Sequence, residues 1–254
     1  MTYIEINGSP ATADTLRLPA LTSYGHFTAM QIRDARVRGL DLHLGRLRSA
    51  TRELFDGDLD AERVRADIRQ ALEAADVRDA SLRVYVYWPE GDERATLMVT
   101  VRPPQTMLAG PKSVMSVPYV RELPHIKHLG GFGQNHYLTA ALRAGHDEAL
   151  LTDPRGVVAE GAITNIAFWD GESVIWPDAP SLLGITMALL EPRLPSSNRR
   201  HITLADLSSY RSAFLTNSQG FAPVRRIDEV EYTVDAGLMR QVAEAYDAVA
   251  WDAI

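Results

Sequence analysis

The first hundred residues of the chain switch between two apolar periodicities, one typical of strands and one typical of helices. Alternating apolar and polar positions predict half-buried strands, and Asn7-Gly8 predicts a tight turn after the first of them. Apolar positions three and four residues apart predict two amphipathic helices. The predicted elements are strands at 3–6, 27–32 and 36–40, helices at 42–55 and 61–75, and a hairpin of 81–88 with 95–101. This half is therefore predicted to be α+β.

The two predicted helices each have one apolar side that we expect to face a core. The side chains assigned to these inward positions are Leu42, Leu44, Leu47, Ala50 and Leu54 in the first helix, and Val64, Ile68 and Leu72 in the second. Arginines between them, such as Arg63, Arg65 and Arg69, are interpreted as one solvated face of the second helix.

The second half of the chain follows a segment that is rich in turn-forming residues. Arg102 to Lys112 contains three prolines and one glycine in eleven residues, which predicts a linker at about 104–111. This divides the chain into an N-terminal domain, 1–103, and a C-terminal domain, 112–254. The elements predicted beyond the linker are a strand at 114–120, a helix at 136–144 that Gly145 ends, a hairpin of 148–152 with 157–159, a strand pair of 163–169 with 173–176, a helix at 184–190, a buried strand at 211–216 and a last helix at 236–249.

Composition narrows the possible classes of protein. With 254 residues, 46% of them apolar and 23% charged, the chain can bury a sizeable core. A net charge of -7 argues against nucleic acid as a partner, since phosphate binding needs a basic face. The absence of cysteine excludes disulfides and thiolate metal sites, and no metal site is predicted. The N-terminus lacks the pattern of a secretory signal and no run is long enough to span a bilayer, so we expect a cytoplasmic protein without membrane contact.

Lysine is nearly absent from this chain. Only Lys112 and Lys127 occur, against twenty-four arginines. Arginine stays protonated, whereas lysine can lose its proton when it is partly desolvated and can then attack a carbonyl group. Lys112 falls in the linker and is interpreted as an exposed charge. Lys127 lies among glycines and apolar residues, and it either caps a turn or pairs with Glu122, or it carries a covalent cofactor.

Four further groups have the chemistry that a phosphorylated pyridine cofactor needs. Glu160, at a predicted strand end, could be a solvated acid or the carboxylate beside a ring nitrogen. Gly184-Ile185-Thr186 begins a helix and offers backbone N–H groups and a hydroxyl to a phosphate, although many helices begin in this way. Thr216-Asn217-Ser218 offers hydroxyl and amide donors, or is only a polar turn. Arg46 could meet a phosphate or cap a neighbouring carbonyl.

Taken together, these stretches resemble the fold-type IV pyridoxal-phosphate enzymes, or class IV aminotransferases. This group includes branched-chain and D-amino-acid aminotransferases and 4-amino-4-deoxychorismate lyase. The resemblance runs from Tyr3 to about Ile227, and the order and spacing of the pieces carry it. The matching pieces are Gly25-His-Phe-Thr28, His43-Leu-Gly-Arg46-Leu47, Lys127 with Gly130-Gly131, Glu160-Gly161 with Asn165, Gly184-Ile-Thr186 and Ala222-Pro-Val224.

The resemblance implies a fold, a cofactor and an assembly. The fold would be the mixed α+β and α/β architecture of fold type IV, with two domains, the active site between them, and a homodimer. The cofactor would be pyridoxal 5'-phosphate, joined to Lys127 as an internal aldimine, with Glu160 at the pyridine nitrogen. The phosphate would be held by Arg46, by the amides of Ile185 and Thr186, and by the turn at Thr216 and Asn217.

The chain departs from the family pattern near the lysine and after the phosphate loop. Met187 replaces an arginine that many members have after Gly-Ile-Thr. Phe132 stands where branched-chain aminotransferases have a tyrosine that contacts the cofactor. His128, Gln134 and His136 have no assigned counterpart, and they either shape the substrate pocket or, for His136, begin a helix.

Two reactions remain open under this resemblance, together with one inactive alternative. A transaminase moves an amino group between an amino acid and a 2-oxo acid. A lyase releases pyruvate and 4-aminobenzoate from 4-amino-4-deoxychorismate. The chain length and Gly25-His-Phe-Thr28 favour the lyase, whereas Gly130-Gly131 favours the transaminase, which is our prediction. A family member that binds a ligand without catalysis is the third alternative, and the presence of Lys127 and Glu160 argues against it.

Overall fold

The computed structural model describes residues 2–194 and 196–254, and the chain divides into two compact units. The first unit contains the chain up to Gln105 together with Ile126–Gly130 and Ala250–Ile254. The second contains Thr106–His125 and Gly131–Val249. No helix in these described ranges is long and apolar enough to cross a membrane.

The helices and strands are numbered in chain order. Up to Gln105 they are β1 (Tyr3–Ile6), β2 (Ser9–Pro10), α1 (Arg17–Leu21), β3 (His26–Ile32), β4 (Arg36–Arg38), α2 (Leu40–Phe55), α3 (Ala61–Ala74), β5 (Ala80–Tyr87) and β6 (Thr96–Arg102). Beyond it they are β7 (Lys112–Pro118), α4 (Phe132–Arg143), β8 (Glu148–Thr152), β9 (Val158–Gly161), β10 (Asn165–Trp169), β11 (Val174–Pro177), α5 (Ile185–Leu190), β12 (Asn198–Arg200), a 3₁₀ turn (Leu204–Ser209), β13 (Ser212–Asn217), β14 (Gly220–Ile227), β15 (Val230–Glu231), α6 (Ala236–Asp247) and β16 (Trp251–Ala253).

The first unit is built on an antiparallel sheet in the order β2-β1-β6-β5-β3. Side chains of a strand alternate between the two faces of its sheet, so each face collects every second residue. The buried positions of one face pack with α2 and α3 into a core that includes Leu47, Ile68 and Val84. Phe27 and Tyr85, which are paired across β3 and β5, belong to the opposite face. That second face carries the residues of interest for chemistry.

Helix α2 begins two residues earlier than its periodicity predicts, and the predicted strand that should reach Leu40 ends at Arg38. Gly39 adopts a left-handed conformation with φ of 73°, which ends the strand and turns the chain into the helix. The N–H of Leu40 then donates to Asp252 Oδ2 at 2.9 Å. An acceptor from the far end of the chain therefore supplies the cap that the local sequence lacks. Leu42, predicted to face the core, is instead exposed.

Two short segments of the predicted C-terminal domain, 112–254, belong to the first unit in the structure. Residues Ile126–Gly130 are hydrogen-bonded to the start of β3, and β16 pairs antiparallel with β4. The boundary at about 104–111 stays a prediction, and the chain returns twice to the first unit after it. The reason is long-range strand pairing, which composition does not reveal.

The second unit is built on a larger sheet in the order β12-β11-β10-β13-β14-β7-β8-β9, with β15 paired to β14. Most neighbours are antiparallel, but β7 is parallel to both β14 and β8. Helices α5 and α6 pack on one face around Trp176 and Phe214. The carboxyl ends of the parallel strands β7 and β8 lie at the same edge of this sheet, and the chain leaves both strands there.

Most of the predicted elements are confirmed, with shifted ends. Helix α4 begins at Phe132, four residues before the predicted start at His136, so His136 does not begin the helix. Gly145, with φ of 85°, follows its end as predicted. Strand β10 begins at Asn165 instead of residue 163. The elements that were not predicted are α1, β2, β12, β14, β15, β16 and the 3₁₀ turn.

Candidate active site

The segment that carries Lys127 is attached to β3, an edge strand in the sheet of the first unit. The N–H of Phe27 donates to the carbonyl of Lys127 at 2.9 Å, and the N–H of Leu129 donates to the carbonyl of Gly25 at 2.9 Å. His26 and His128 form the antiparallel bridge between these two bonds. Backbone pairing on both sides fixes the direction in which the Lys127 side chain leaves the chain.

The amine of Lys127 lies over an aromatic ring. Its Nζ is 4.9 Å from the centroid of Phe27, and the Arg83 guanidinium carbon lies 5.7 Å from the same ring. Phe27 stacks on Tyr85 with centroids 5.4 Å apart. Two cations around one aromatic pair give this face of the sheet a positive potential and an apolar floor. Such a surface can receive a molecule that combines a carboxylate with an apolar body.

Glu160 forms a buried ion pair in the second unit. Arg121 Nη1 donates to Glu160 Oε1 at 2.8 Å and to the carbonyl of Pro124 at 3.0 Å. The other carboxylate oxygen, Oε2, accepts the N–H of Leu182 at 3.2 Å. A buried carboxylate keeps its charge only where cations and hydrogen-bond donors compensate it, and Glu160 has both. Glu160 can therefore present a negative charge inside the protein.

A cleft of about 240 Å³ opens beside this ion pair. Arg121 and Glu160 contribute to its wall, together with Tyr119, Asp178 and His201. It lies where the chain leaves the parallel strands β7 and β8. The residues predicted to bind phosphate are not among those that line it, so this cleft is separate from the predicted phosphate site.

The peptide of Leu182 links Glu160 to the loop before α5. Its N–H donates to Glu160, and its carbonyl accepts Asn165 Nδ2 at 2.7 Å. Asn165 also packs against Gly184, where a Cβ would lie 1.9 Å from Asn165 Oδ1. Only glycine fits at this position, because any side chain would displace the asparagine. Glu160, Asn165 and Gly184 are thus held in one arrangement.

Four of the residues predicted to hold a phosphate, Ile185, Thr186, Thr216 and Asn217, lie in the second unit. Thr186 Oγ1 donates to the carbonyl of Asn217 at 2.7 Å, which joins the start of α5 to the end of β13. The Thr216 hydroxyl is fully buried, and among the described residues it has no hydrogen-bond partner. Helix α5 has only six residues, so its backbone N–H groups and neighbouring hydroxyls would bind an anion more than its dipole would.

Arg46 lies on α2 of the first unit and is half-buried. One turn before it, the fully buried His43 shares a hydrogen bond of 2.6 Å between its Nδ1 and Thr28 Oγ1. Burial, and then the charge of Arg46, lower the pKa of His43 to about 3. His43 is therefore neutral at physiological pH and serves as a support inside the helix-covered core.

The predicted site residues divide between the units. Lys127 and Arg46 lie in the first unit, and the other five lie in the second. Within the second unit, the structure brings Thr186 to Asn217, and both to the end of the strand that carries Thr216. That all seven hold one ligand stays a prediction.

Arg121, the partner of Glu160, was not predicted from the sequence. It stands six residues before Lys127 as one arginine among twenty-four, and no local pattern distinguishes it. The informative signal would have been burial, since arginine is rarely buried unless it is paired. That property depends on the pairing of β8 with β9 and not on neighbours in the sequence.

The four unassigned residues beside Lys127 have different surroundings. Phe132 is 83% exposed and stacks on His136, with ring centroids 6.2 Å apart. Gln134 Nε2 donates to the carbonyl of Ala162 at 2.6 Å, which ties α4 to the loop after Glu160. His128 takes part in the bridge to β3. Gln134 thus has a structural contact that the sequence did not indicate.

Most of the chain matches a known protein family. The family model described as amino-transferase class IV matches residues 25–227, well over half of the chain. No curated protein sequence matches the chain at a significant level. The chain belongs to the class IV aminotransferase family, which confirms the predicted family and its enzymatic nature.

Solved structures are similar to the chain over nearly their whole length. A PLP-bound hypothetical aminotransferase from Mycobacterium tuberculosis is 21% identical, with a TM-score of 0.83 and 98% of each chain covered. The fold IV-transaminase CpuTA1 from Curtobacterium pusillum is 19% identical, with a TM-score of 0.84, over 98% of this chain and 100% of that one. A Legionella pneumophila protein provisionally named a 4-amino-4-deoxychorismate lyase is 17% identical, with a TM-score of 0.80, over 90% and 92%.

These neighbours confirm the predicted fold class. At such identities the likeness concerns the fold, and both reactions weighed from the sequence occur among the names of the neighbours. The pyridoxal phosphate bound by the Mycobacterium protein agrees with the cofactor that the sequence predicts.

Proposed function

We propose that this chain is a pyridoxal-phosphate-dependent aminotransferase that moves an amino group between an amino acid and a 2-oxo acid, with Lys127 as the covalent anchor of the cofactor. The family and the fold support a cofactor of this kind. The observation that carries the proposal is the amine of Lys127 over Phe27, with Arg83 at the same ring.

The residues present fit this cofactor. Its aldehyde needs a lysine, and only two occur in the sequence. Its ring nitrogen needs a carboxylate that stays charged, which the contacts of Glu160 with Arg121 and Leu182 provide. Its phosphate needs hydroxyl and N–H donors, and the buried hydroxyl of Thr216 is available for one more acceptor. We propose that Arg46, Ile185, Thr186, Thr216 and Asn217 hold the phosphate.

The chain would supply acid–base chemistry and charge. When bound, pyridoxal phosphate accepts the electron pair that a substrate carbon releases. The amine of Lys127 would hold and return the proton of that carbon. Glu160 would keep the ring nitrogen protonated, and Arg121 would maintain the charge of Glu160. Hydrogen bonds fix the carboxylate of Glu160 and the guanidinium of Arg121, and the amine of Lys127 lies against the ring of Phe27.

We propose that Arg83 binds the carboxylate of the substrate. A guanidinium binds a carboxylate with two parallel hydrogen bonds, which also orients the substrate. Arg83 projects from β5 beside Tyr85, and Arg83 Nη1 lies 3.4 Å from Tyr85 Oη. Phe27 and Tyr85 would accommodate the apolar part of the substrate. The proposed substrate is therefore an amino acid with an apolar side chain.

The two lysines make a matched test of the cofactor anchor. Purified protein supplied with pyridoxal phosphate should develop an absorbance band near the visible edge. The band should disappear in Lys127→Ala and persist in Lys112→Ala. Borohydride reduction followed by peptide mass analysis should place the cofactor on Lys127. A wild-type protein without the band, or a cofactor found on Lys112, would overturn the proposal.

The lyase reaction is the second candidate, since the likeness to the Legionella protein extends over 92% of that chain. A panel of L- and D-amino acids separates the two reactions. A transaminase converts the bound cofactor to its amine form with at least one amino acid. No conversion with any of them, together with pyruvate release from 4-amino-4-deoxychorismate, would establish the lyase instead.

We also propose that the protein acts as a homodimer, as the family resemblance implies. Size-exclusion chromatography with light scattering should give twice the chain mass of 28.1 kDa. A monomer at working concentration would contradict this assembly.

A further inference from the structure

We propose that Glu148, which no cofactor chemistry requires, is a positioning residue: through Thr164 it holds the loop that aims Glu160 and Asn165. This inference rests on the proposed function, because Glu160 is assigned there to the cofactor, and Asn165 is joined to Glu160 through the peptide of Leu182. Glu148 begins β8, and its side chain is buried beneath the connection from β9 to β10.

The loop in question consists of the last residue of β9 and the three residues that connect it to β10. Residues 161–164 follow Glu160 and precede Asn165. The N–H of Gly161 donates to the carbonyl of Thr164 at 2.8 Å, which closes the loop on itself. A change in the loop would therefore move the acid on β9 and the amide on β10 together.

The carboxylate of Glu148 is hydrogen-bonded to this loop. Thr164 Oγ1 donates to Glu148 Oε2 at 3.0 Å, and the N–H of Ala149 donates to Oε1 at 2.9 Å. The N–H of Ala162 donates to the carbonyl of Ala149 at 2.9 Å, so the neighbour of Glu148 also binds the loop. Every one of these contacts joins β8 to the loop or orients the carboxylate toward it.

The loop sequence fits the carboxylate closely. A Cβ on Gly161 would lie 2.1 Å from Thr164 Oγ1 and 3.3 Å from Glu148 Cδ. Any side chain at this position would separate the hydroxyl from the acid. The absence of a side chain at Gly161 thus serves the contact between Thr164 and Glu148, immediately after Glu160.

A buried carboxylate is an unfavourable choice for a purely structural position. Burial raises the pKa of Glu148, hydrogen bonds from Ala149, Thr164 and the loop N–H groups offset part of this rise, and the resulting pKa is about 7. An apolar residue would avoid this desolvation, but it could not accept hydrogen bonds from several donors at once. The geometry points to a role in fixing the loop, because the carboxylate of Glu148 accepts most of its hydrogen bonds from the loop.

The test uses substitutions at both ends of the contact. Thr164→Val removes the hydroxyl at nearly constant volume, and Thr164→Ser keeps it. Glu148→Gln keeps the shape but places N–H groups where donors already lie. Thr164→Val and Glu148→Gln should each raise the dissociation constant for pyridoxal phosphate by about tenfold, and Thr164→Ser should restore wild-type binding. In Thr164→Val and Glu148→Gln, the absorbance maximum of the bound cofactor should shift, and so should the pH at which that maximum changes.

Tyr232→Phe is the matched control. It also removes a buried hydroxyl donor in the second unit, the one that bonds the carbonyl of Leu207 at 2.9 Å. Unfolding in denaturant without cofactor shows whether the control and Thr164→Val lose similar stability. The control should bind the cofactor as the wild type does. If Tyr232→Phe and Thr164→Val weaken cofactor binding equally, the contact between Thr164 and Glu148 is only structural.

The outcomes separate this inference from the proposed function. A wild-type protein that forms no cofactor band overturns the proposed function and this inference with it. A wild-type protein that forms the band, with Thr164→Val binding equally well at an unchanged absorbance maximum, overturns the positioning role alone. If Glu148→Gln does not fold, the comparison of Thr164→Val with Thr164→Ser decides.

Discussion

Arg121 Nη1 and Glu160 Oε1 lie 2.8 Å apart, and the two side chains are only 4% and 6% exposed. Taking two such charges out of water costs free energy that their attraction repays only while both are present. The pair is therefore a poor source of stability and a sound way to keep a charged carboxylate inside the protein. Its value lies in what Glu160 can do with that charge.

Removing the guanidinium of Arg121 while Glu160 remains should strongly destabilise the protein. Arg121→Met leaves Glu160 buried without its counter-charge, and we expect the free energy of unfolding to fall by about 3 kcal/mol. Denaturant unfolding monitored by circular dichroism measures this loss. The double variant Arg121→Met with Glu160→Leu should recover much of it, because no unpaired charge remains. As a control, Arg199→Met breaks a more exposed pair with Glu191 and should cost less than about 1 kcal/mol. Equal losses in the two single variants would contradict this account.

Arg83→Met should impair substrate binding and leave the cofactor in place. A lost charged hydrogen-bonding partner weakens binding by roughly 10- to 100-fold. We therefore expect KM for the amino acid to rise by about that factor, while the absorbance of the bound cofactor stays unchanged. Steady-state kinetics and the spectrum measure the two effects separately. Arg83→Lys should recover part of the affinity through its charge. A methionine variant with unchanged KM would refute the assignment of Arg83.

His43 should make the protein less stable in acid. Its pKa is about 3 when folded, against an ordinary value of 6.5, so the unfolded chain binds a proton in the intervening range and the folded chain does not. Stability is therefore full above pH 6.5 and decreases as the pH falls toward 3, by roughly 1.4 kcal/mol per pH unit. In His43→Asn the part of this dependence that comes from His43 should be absent, and the part that comes from His26, whose pKa burial lowers to about 4, should remain. Denaturant unfolding at pH 7, 6 and 5 tests it, and parallel curves for the two proteins would count against it.

Glu5 should make the folded protein less stable as the pH rises, which is opposite to the effect of His43. Burial, and then the charge of Asp67, raise the pKa of Glu5 from 4.5 to about 7. The folded protein thus holds a proton that the unfolded chain has already released. This contribution to stability is full below pH 4.5 and is lost as the pH rises through 7. Glu5→Gln cannot lose a proton, so its melting temperature should exceed that of the wild type more at pH 8.5 than at pH 5. A constant difference would exclude the titration of Glu5 as the cause.

The strands and helices with strong local patterns were predictable, and the exceptions have identifiable causes. Strand β14 was missed because Pro223 interrupts its pattern, and proline is depleted in inner strands. In the structure, Pro223 pairs with Phe214, and the register of β14 against β7 shifts just beyond it, between Val224 and Arg226. Neighbouring strands on both sides stabilise a segment that has a weak strand signal of its own.

The candidate site shows the same division between local and long-range information. Lys127 was identifiable as a candidate because lysine is rare in this chain, and Thr186 because it lies two residues after a glycine at a helix start. Arg121 and Glu148 were not, since each acts through a contact with a residue that is distant in sequence. Chemistry that depends on residue type was predictable, and chemistry that depends on burial was not.

The path of the chain also governs how the protein could be divided into fragments. A single cut within 106–111 would leave Lys127 and Asp252 on the C-terminal fragment, although they are bonded to Phe27 and Leu40 of the N-terminal fragment. An N-terminal fragment produced alone would lack a strand beside β4 and the cap of α2. The first unit is thus completed only when Ala250–Ile254 are present, so its folding depends on a segment that follows the whole second unit in the chain.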